Sequence, residues 1–520
     1  MQDRKEDSAF SVKNIREKVR DWKSQNLLTV RLFEYILLLG LVTFVIGLIF
    51  SCFNLIHTDP TSARYMLSAL VQSQAAIIAI VVSLTLIAVQ HTASAYSPRV
   101  IRIFRNNPDM WILLGLYGFS IFYGLLVLKM IRGAEDTSQI MISSISLEAY
   151  ISTVYALGIS TFAILCLYIW NIMSLLTPET IIKRLKNEIT KGNLLNSKED
   201  PIQPIVDIVH GSIMKYDIET TRVGLKAVTE QVIKIIGPDD AEKISERFCG
   251  HLTRVGRLAI SKLDEESAIE VIKNLGIFGK SAAEKRLEDA TTQVVVSLEE
   301  VGKSAAEKGL EDATREAVMF LGEVGVAAAK QDLKDVTSRA VTSLEEVGKS
   351  AAEKRLDGAT KQAAMCLGNV GKAAAEKGLG DATKWAAICL GGFGVRAAEK
   401  RLKGATMRVA ESLEIVGKAA AKQGLEDATT RAATSLLVVG ITYVKNSLED
   451  ATEQIAKSLG LEDTTETLAR ALAELTILSE EIVKTVIYDY ELELEGKDHD
   501  SFQKFMKIYK QELEKLQPGK

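Results

Sequence analysis

The chain has 520 residues with a formal net charge of -4, and is 47% hydrophobic, 25% charged and only 6% aromatic, which allows two or three domains. The near-zero charge hides a segregation: apolar residues concentrate before residue 177, while beyond residue 260 Lys and Arg alternate with Asp and Glu, and neither end is an acidic or basic tail. Cys52, Cys166, Cys249, Cys366 and Cys389 are scattered, with no C-x-x-C pair and no histidine at zinc-finger spacing, which argues against a structural metal and for a reducing compartment.

Residues 1–32 are charged rather than apolar, so no cleavable signal peptide is expected and the first apolar segment should remain as an anchor. Four apolar stretches follow, near 33–56, 67–91, 109–131 and 149–175. Each is about twenty residues or more, the length at which a helix crosses the hydrocarbon core. Four crossings within 33–176 put both termini on one side. Lys13, Arg16, Lys18, Arg20, Lys23 and Arg31 precede the first span, Arg99, Arg102 and Arg105 separate the second from the third, and Lys183, Arg184 and Lys186 follow the fourth. Only Arg64, Lys129 and Arg132 oppose them. The basic side is cytoplasmic, so the reading is a multi-pass cell-membrane protein with cytoplasmic N- and C-termini. Tyr65 and Trp111 fall near the expected interfaces.

In the second span Ser68, Gln72, Ala76, Ala79, Ser83, Gln90, Ser94 and Ser97 share one narrow face at about 100° per residue. Leu86 is the one large apolar residue on it. Polar groups in lipid are costly without a partner, so this stripe is expected to face protein or a cavity. Two uses are open: a close helix-packing seam, or the lining of a polar conduit in an oligomer by Ser68, Gln72, Ser83 and Gln90. Gly115, Gly118 and Gly124 of the third span read as packing sites. Pro98 should bend or stop the second helix just outside the bilayer. Arg99, Arg102 and Arg105, three residues apart, would then lie at headgroup level, as a topology determinant or as a site for lipid or another anion.

The run Val82-Ser83-Leu84-Thr85-Leu86-Ile87-Ala88-Val89-Gln90, then Ser94, Tyr96-Ser97-Pro98-Arg99 and Phe104, followed by a Gly- and Phe-rich span at Leu114–Leu128, resembles the prokaryotic membrane-protein family called domain of unknown function 2254. The resemblance covers the four spans and extends to about residue 240. It implies a multi-span membrane protein and carries no catalytic or binding residue with it. The repeats described next depart from that family's pattern.

Residues 177–262 read as a helical bridge, with Thr177 as an N-cap and Pro178 at the first helical position. His210 and Asp207 lie three apart on one of its helices, too few ligands for a metal site. From residue 263 to 460 a 23-residue unit recurs: Leu287, Leu310, Leu333, Leu356, Leu379, Leu402, Leu425 and Leu448 each open a variant of L-E-D-A-T-x-x-A-x-x-S-L-x-x-V-G-K-x-A-A-E-K-x. Such units stack because none can bury an apolar face alone. A single continuous helix is excluded, since 23 residues leave about 0.4 turn over at 3.6 residues per turn. The third position is Asp or Gly and suggests an N-cap there; the sixteenth is Gly302, Gly325, Gly348, Gly371, Gly394, Gly417 and Gly440 and suggests a helix end or a tight crossing. Each unit is therefore expected to be a helix of about twelve residues plus one of about seven, a small relative of HEAT-type hairpins. Ala290, Val294, Leu298 and Val301 form the expected core stripe, with the Ala305-Ala306 and Ala351-Ala352 pairs on the shorter helix. Leu263–Gly279 resembles a ninth unit with one extra residue, and 461–520 should supply capping helices. The fold class expected is all-α, a four-helix transmembrane domain followed by a cytoplasmic α-solenoid.

Gly279-Lys280-Ser281, Gly302-Lys303-Ser304 and Gly348-Lys349-Ser350 imitate the end of a phosphate-binding loop, but the glycine required five residues earlier is Asn274, Ser297 or Ser343 and no strand precedes. Cys366 and Cys389 fill a small-residue column. The five histidines do not cluster, so neither an enzyme nor a cofactor is expected, and alternating Lys and Glu argue against nucleic acid as a partner. The reading is a membrane-anchored scaffold or sensor, itself a homo-oligomer in contact with membrane lipids, that presents the solenoid to a cytosolic protein. Its alternative is an oligomeric ion channel or transporter lined by the second span and regulated by the solenoid.

Overall fold

The computed structural model describes residues 27–52, 60–95, 108–131, 141–142, 145–175, 177–196, 200–448, 467–474 and 497–516, with single positions at 484, 487 and 491. It divides into two compact units, Met1–Ile181 and Ile182–Lys520.

The first unit holds α1 (Leu27–Cys52), α2 (Pro60–Ala95), α3 (Pro108–Ile131) and α4 (Leu147–Leu175), with a two-residue ribbon, β1 (Met141–Ile142) against β2 (Ile145–Ser146), just before α4. All four helices are long and apolar enough to cross a membrane. Pro60 and Pro108 stand at first helical positions, where the missing N–H costs nothing. α2 starts earlier than the apolar pattern suggests and is 36 residues long, about 54 Å at 1.5 Å per residue. The bundle closes through two clusters: Val81, Leu113, Tyr117, Ile164 and Tyr168 in one, Leu67, Val127, Ile131, Leu147 and Val154 in the other. Phe33, Phe44, Phe119, Phe122, Phe162 and Trp170 stay exposed on its outside, as a lipid solvent permits. Gly124 is a packing site as expected, since a Cβ there would meet Val71 Cγ2 at 2.8 Å; Gly115 and Gly118 are not, because each faces open space within this chain.

The second unit begins with α5 (Pro178–Glu188, which spans the division), α6 (Lys191–Asn196), α7 (Gln203–Ile213), α8 (Ile218–Ile235) and α9 (Ala241–Ser261). The repeats follow as α10 (Glu265–Glu284), α11 (Glu288–Glu307), α12 (Glu311–Lys330), α13 (Lys334–Glu353), α14 (Asp357–Glu376), α15 (Gly380–Glu399), α16 (Lys403–Lys422) and α17 (Glu426–Leu448); α18 (Lys497–Leu516) packs on α17. The two-helix unit expected from sequence is corrected here: each 23-residue unit is one 20-residue helix and a three-residue reversal. A hairpin therefore takes two units, and each helix packs on the next and on the next but one.

The reversal has a definite chemistry. Its second residue is left-handed, as at Arg286 (φ 57°), Gly309 (φ 76°), Asp332 (φ 63°) and Gly378 (φ 71°). The amide of the following leucine then reaches back to close the helix end, Leu287 N to Ala282 O at 2.9 Å and Leu310 N to Ala305 O at 3.0 Å, a Schellman closure. The same leucine is the N-cap of the next helix. Its carbonyl accepts the first helical amide and also the hydroxyl of the threonine four residues on, as in Thr291 Oγ1 to Leu287 O at 2.7 Å. Asp or Gly at the third position is thus already inside the helix, and the N-cap lies two residues earlier than the Asp/Gly column suggests. Nor does the first unit contain an extra residue. Leu263 takes the left-handed position (φ 58°) and Asp264 the N-cap, its carboxylate accepting Ser267 N at 3.1 Å.

The sixteenth-position glycines are close crossings in mid-helix. At Gly371 a Cβ would stand 2.9 Å from Ala386 Cβ of the next helix and 2.8 Å from Val416 Cγ2 of the one after; Gly325 and Gly394 repeat the pattern. The column runs back to Gly256 on α9, which meets Val271 and Val301 in the same way, so the stacking continues N-terminally past residue 263. At the other end Phe505 of α18 fills the space over Gly440. Because each helix has neighbours before and after it, it buries Thr291 and Val295 as well as the predicted stripe of Ala290, Val294, Leu298 and Val301. Gly371→Leu is expected to overpack this three-helix crossing and to destabilise by about 2–3 kcal/mol, whereas Gly378→Asn, at a left-handed position that Asn tolerates, should leave the thermal melting midpoint nearly unchanged. Equal losses in the two variants would refute the assignment of the crossing.

Candidate functional site

α2 carries the polar stripe singled out above, and the bundle does not cover it. Gln72, Ala76, Ala79, Ser83 and Gln90 are exposed and Ser68 is half-exposed. Ser97 and the basic cluster Arg99, Arg102 and Arg105, with Pro98, lie outside the described residues. The expectation that the stripe faces protein or a cavity is therefore not met within one chain. Its exposure has a physical basis, because Ser83 Oγ donates to Ala79 O at 2.9 Å and so satisfies its hydroxyl within its own helix.

The polar groups that hold the bundle are others. Gln74, two residues and about 200° round the helix from Gln72, is buried and donates to Ser120 Oγ at 2.9 Å and Thr161 Oγ1 at 3.1 Å. Thr43 and Ser160 pair at 3.0 Å, and Thr85 with Tyr168 at 3.1 Å. At one end Asn171 Nδ2 donates to Asp109 Oδ2 at 2.9 Å, and Arg31 Nε stands 3.8 Å from Asp109 Oδ1. These contacts tie all four spans together. The available signal was a few polar residues on the otherwise apolar inner faces of the spans, Gln74 foremost; the longer stripe on the opposite face of α2 obscured it.

In the second unit, alternate helices line grooves. One, of about 600 Å³, crosses α10, α12 and α14, with Met319, Val326, Ala327 and Met365 as its apolar part and Lys280, Glu284, Glu323 and Lys330 around it. A smaller one, about 350 Å³, lies between α8 and α10 and includes Ile233, Ile277, Arg222 and Glu270. Gly322 lines the larger groove; it admits Cys366, whose Sγ would be 2.8 Å from a Cβ there. Charges flank the stack in register: Lys280 pairs with Glu323 at 3.5 Å, Lys303 with Glu346 at 3.2 Å, and Arg257 with Glu300. Exposed pairs add little stability, but their repetition explains the alternating Lys and Glu of the sequence. Trp385, exposed, donates its indole N–H to Thr342 at 2.9 Å.

A second polar group was not visible in the sequence. His251 on α9 is buried, with Nε2 2.7 Å from Asp200 Oδ2 and Nδ1 2.9 Å from Arg254 Nη2. Arg254 can only donate, so Nδ1 accepts and the proton sits on Nε2. Burial alone would raise the Asp200 carboxyl, but the His251 bond and the Ile202 amide hold it below its ordinary value. Burial, with Arg254 and His251 nearby, lowers His210 below its ordinary 6.5 against the opposing charge of Asp207. The thiols of Cys249 and Cys366 are pushed up by burial to about 12, and Cys389 higher still. All three Gly-Lys-Ser triplets lie inside helices, where the backbone amides are already engaged. Among the described residues no group of three or more His, Cys, Asp or Glu side chains could hold a metal ion.

Residues 25–255 match the model of a family described as predicted membrane protein, DUF2254. The match ends before the first repeat leucine, so it covers the membrane domain and the helices leading into the array. None of the curated proteins matches. Among solved structures, a circular tandem repeat protein with novel repeat topology and enhanced subunit contact surfaces is similar at 15% identity, with a TM-score of 0.29, over 78% of this chain and 98% of that one.

Two outcomes test these assignments. Gln74→Ala should destabilise the bundle by about 1–2 kcal/mol in detergent unfolding, and Gln72→Ala should leave it unaltered; the reverse order would move the core to the other face of α2. His210 has a folded pKa below its unfolded one, so the folded state binds fewer protons and stability falls as pH drops below about 6.5. Asp200, also lowered, acts in the same direction further down, below its ordinary 3.8. The melting midpoint of the full chain should fall from pH 7.5 to pH 5.5, and His210→Gln should flatten that part of the curve.

Proposed function

We propose that this protein is a membrane-anchored scaffold or sensor, multi-pass in the cell membrane with both termini cytoplasmic, whose array holds a cytosolic protein in the groove across α10, α12 and α14. The observation that carries the reading is that groove, about 600 Å³ with Met319 and Met365 in its apolar part and charges around it. Methionine is unbranched and polarizable, and suits surfaces that accept helical or extended segments of a partner. Few aromatic side chains stand on the array, so the affinity is expected to be modest. Affinity purification of the full-length protein from crosslinked cells, repeated with Met319→Glu and Met365→Glu, is the test. Loss of most of the partner is the expected result, and undiminished recovery would remove the groove from the reading. Protease should cut at Lys377–Gly378 in inverted vesicles and not in right-side-out ones; the opposite pattern would reverse the topology.

A second reading is favoured by the exposure of the α2 stripe. In it several copies surround a conduit lined by Ser68, Gln72, Ser83 and Gln90, whose neutral polar groups replace part of an ion's hydration. Discrete conductance in planar bilayers, altered by Ser83→Leu, would favour this channel over the scaffold, and a silent bilayer would retire it.

A further inference from the structure

α2 is buried on one side only, at Ala63, Leu67, Gln74, Val81 and Thr85. At about 100° per residue, Gln72, Ala76, Ala79 and Ser83 lie roughly half a turn away, facing out of the bundle. Gln72 is placed where that matters most. In the apolar stretch Thr61–Ile87 it stands about 17 Å from one end and about 22 Å from the other, near the middle of the membrane. Its serine neighbours are satisfied within the helix, Ser73 Oγ by Ala69 O at 2.7 Å and Ser83 Oγ by Ala79 O at 2.9 Å. Gln72 is not: its Nε2 reaches Ser68 Oγ at only 3.5 Å, and among the described residues none donates to its amide oxygen. Hydrocarbon supplies neither a donor nor an acceptor at that depth.

We infer that this face is a contact between two copies of the chain, with the Gln72 amides paired across a two-fold axis along the membrane normal. Copies inserted in one orientation bring their α2 helices together in parallel, and a two-fold contact sets each residue against its own counterpart. A primary amide is complementary to itself, because each N–H donates to the other carbonyl oxygen and two reciprocal bonds close. Ala76, Ala79 and Ser83, on the following turns of the same face, are small and let the helices approach. Leu86 marks where the close part ends. In a ring of more than two copies the Gln72 amides would face a common axis, and the closed reciprocal pair would be lost. The seam does not depend on the scaffold reading, since failure of the groove variants leaves it intact, and it competes with the conduit for the same face.

The test uses the full chain in native membranes, with the exposed Cys52 and Cys166 changed to Ser, the buried Cys249, Cys366 and Cys389 kept, and one exposed cysteine added by Ala76→Cys or Ala79→Cys. Oxidation with copper phenanthroline should trap a dimer and no larger species, while Phe122→Cys, on the exposed face of α3, should trap none. Adding Gln72→Leu should lower the dimer yield about tenfold. Counting of labelled, otherwise unaltered chains in bilayers should find two per particle, which guards against a misfolded variant. A ladder of trimers and beyond, equal trapping at Phe122→Cys, or single chains in bilayers would each overturn the inference.

Discussion

The reversal between consecutive array helices depends on one backbone conformation, a residue with φ near +60° followed by a leucine that closes one helix and opens the next. Three residues cannot turn a chain back on itself in many ways, so this geometry, repeated every 23 residues, fixes where each of the helices from α10 to α16 ends after 20 residues and the direction in which the next one leaves. Once direction is set, each helix meets the same two neighbours at the same positions. The glycines at those meeting points follow from it, because a Cβ there would stand under 3 Å from side chains of the neighbouring helices. Arg286, Arg355 and Arg401 hold the left-handed position without being glycine, at a local cost that the stacking on either side offsets.

The membrane unit meets a different constraint, the absence of water to satisfy polar groups. It does so in two ways. Inside the bundle, Gln74, Ser120 and Thr161 satisfy one another across three helices, and Asp109 joins Arg31 and Asn171 at one end. Outside it, serine hydroxyls fold back on their own helix, which removes most of the cost of facing lipid. Gln72 does neither, and on the outside of α2 it is, among the described residues, a mid-membrane amide that the fold of a single chain leaves short of partners. The solenoid and the spans thus present different kinds of surface. One is an apolar groove in a charged surround, and the other a narrow neutral polar face.

The sequence alone determined that four helices cross a membrane and that a helical array with a 23-residue period follows, because both depend on local quantities: runs of apolar residues, and columns that return at a constant interval. It also placed the core stripe at Ala290, Val294, Leu298 and Val301, since helical periodicity is a local property. What it misjudged was how a unit is divided, two helices being expected where there is one. Gly at the sixteenth position is compatible with a helix end and with a crossing, and only the neighbours at Ala386 and Val416 of a residue such as Gly371 distinguish them. The same holds for α2, where two polar faces were available. Which of Gln72 and Gln74 is buried depends on whether Ser120 and Thr161, distant in sequence, stand opposite; only the tertiary structure brings them there. The Asp200–His251–Arg254 contact was illegible for that reason too, its carboxylate and imidazole being 51 residues apart with no spacing to announce them.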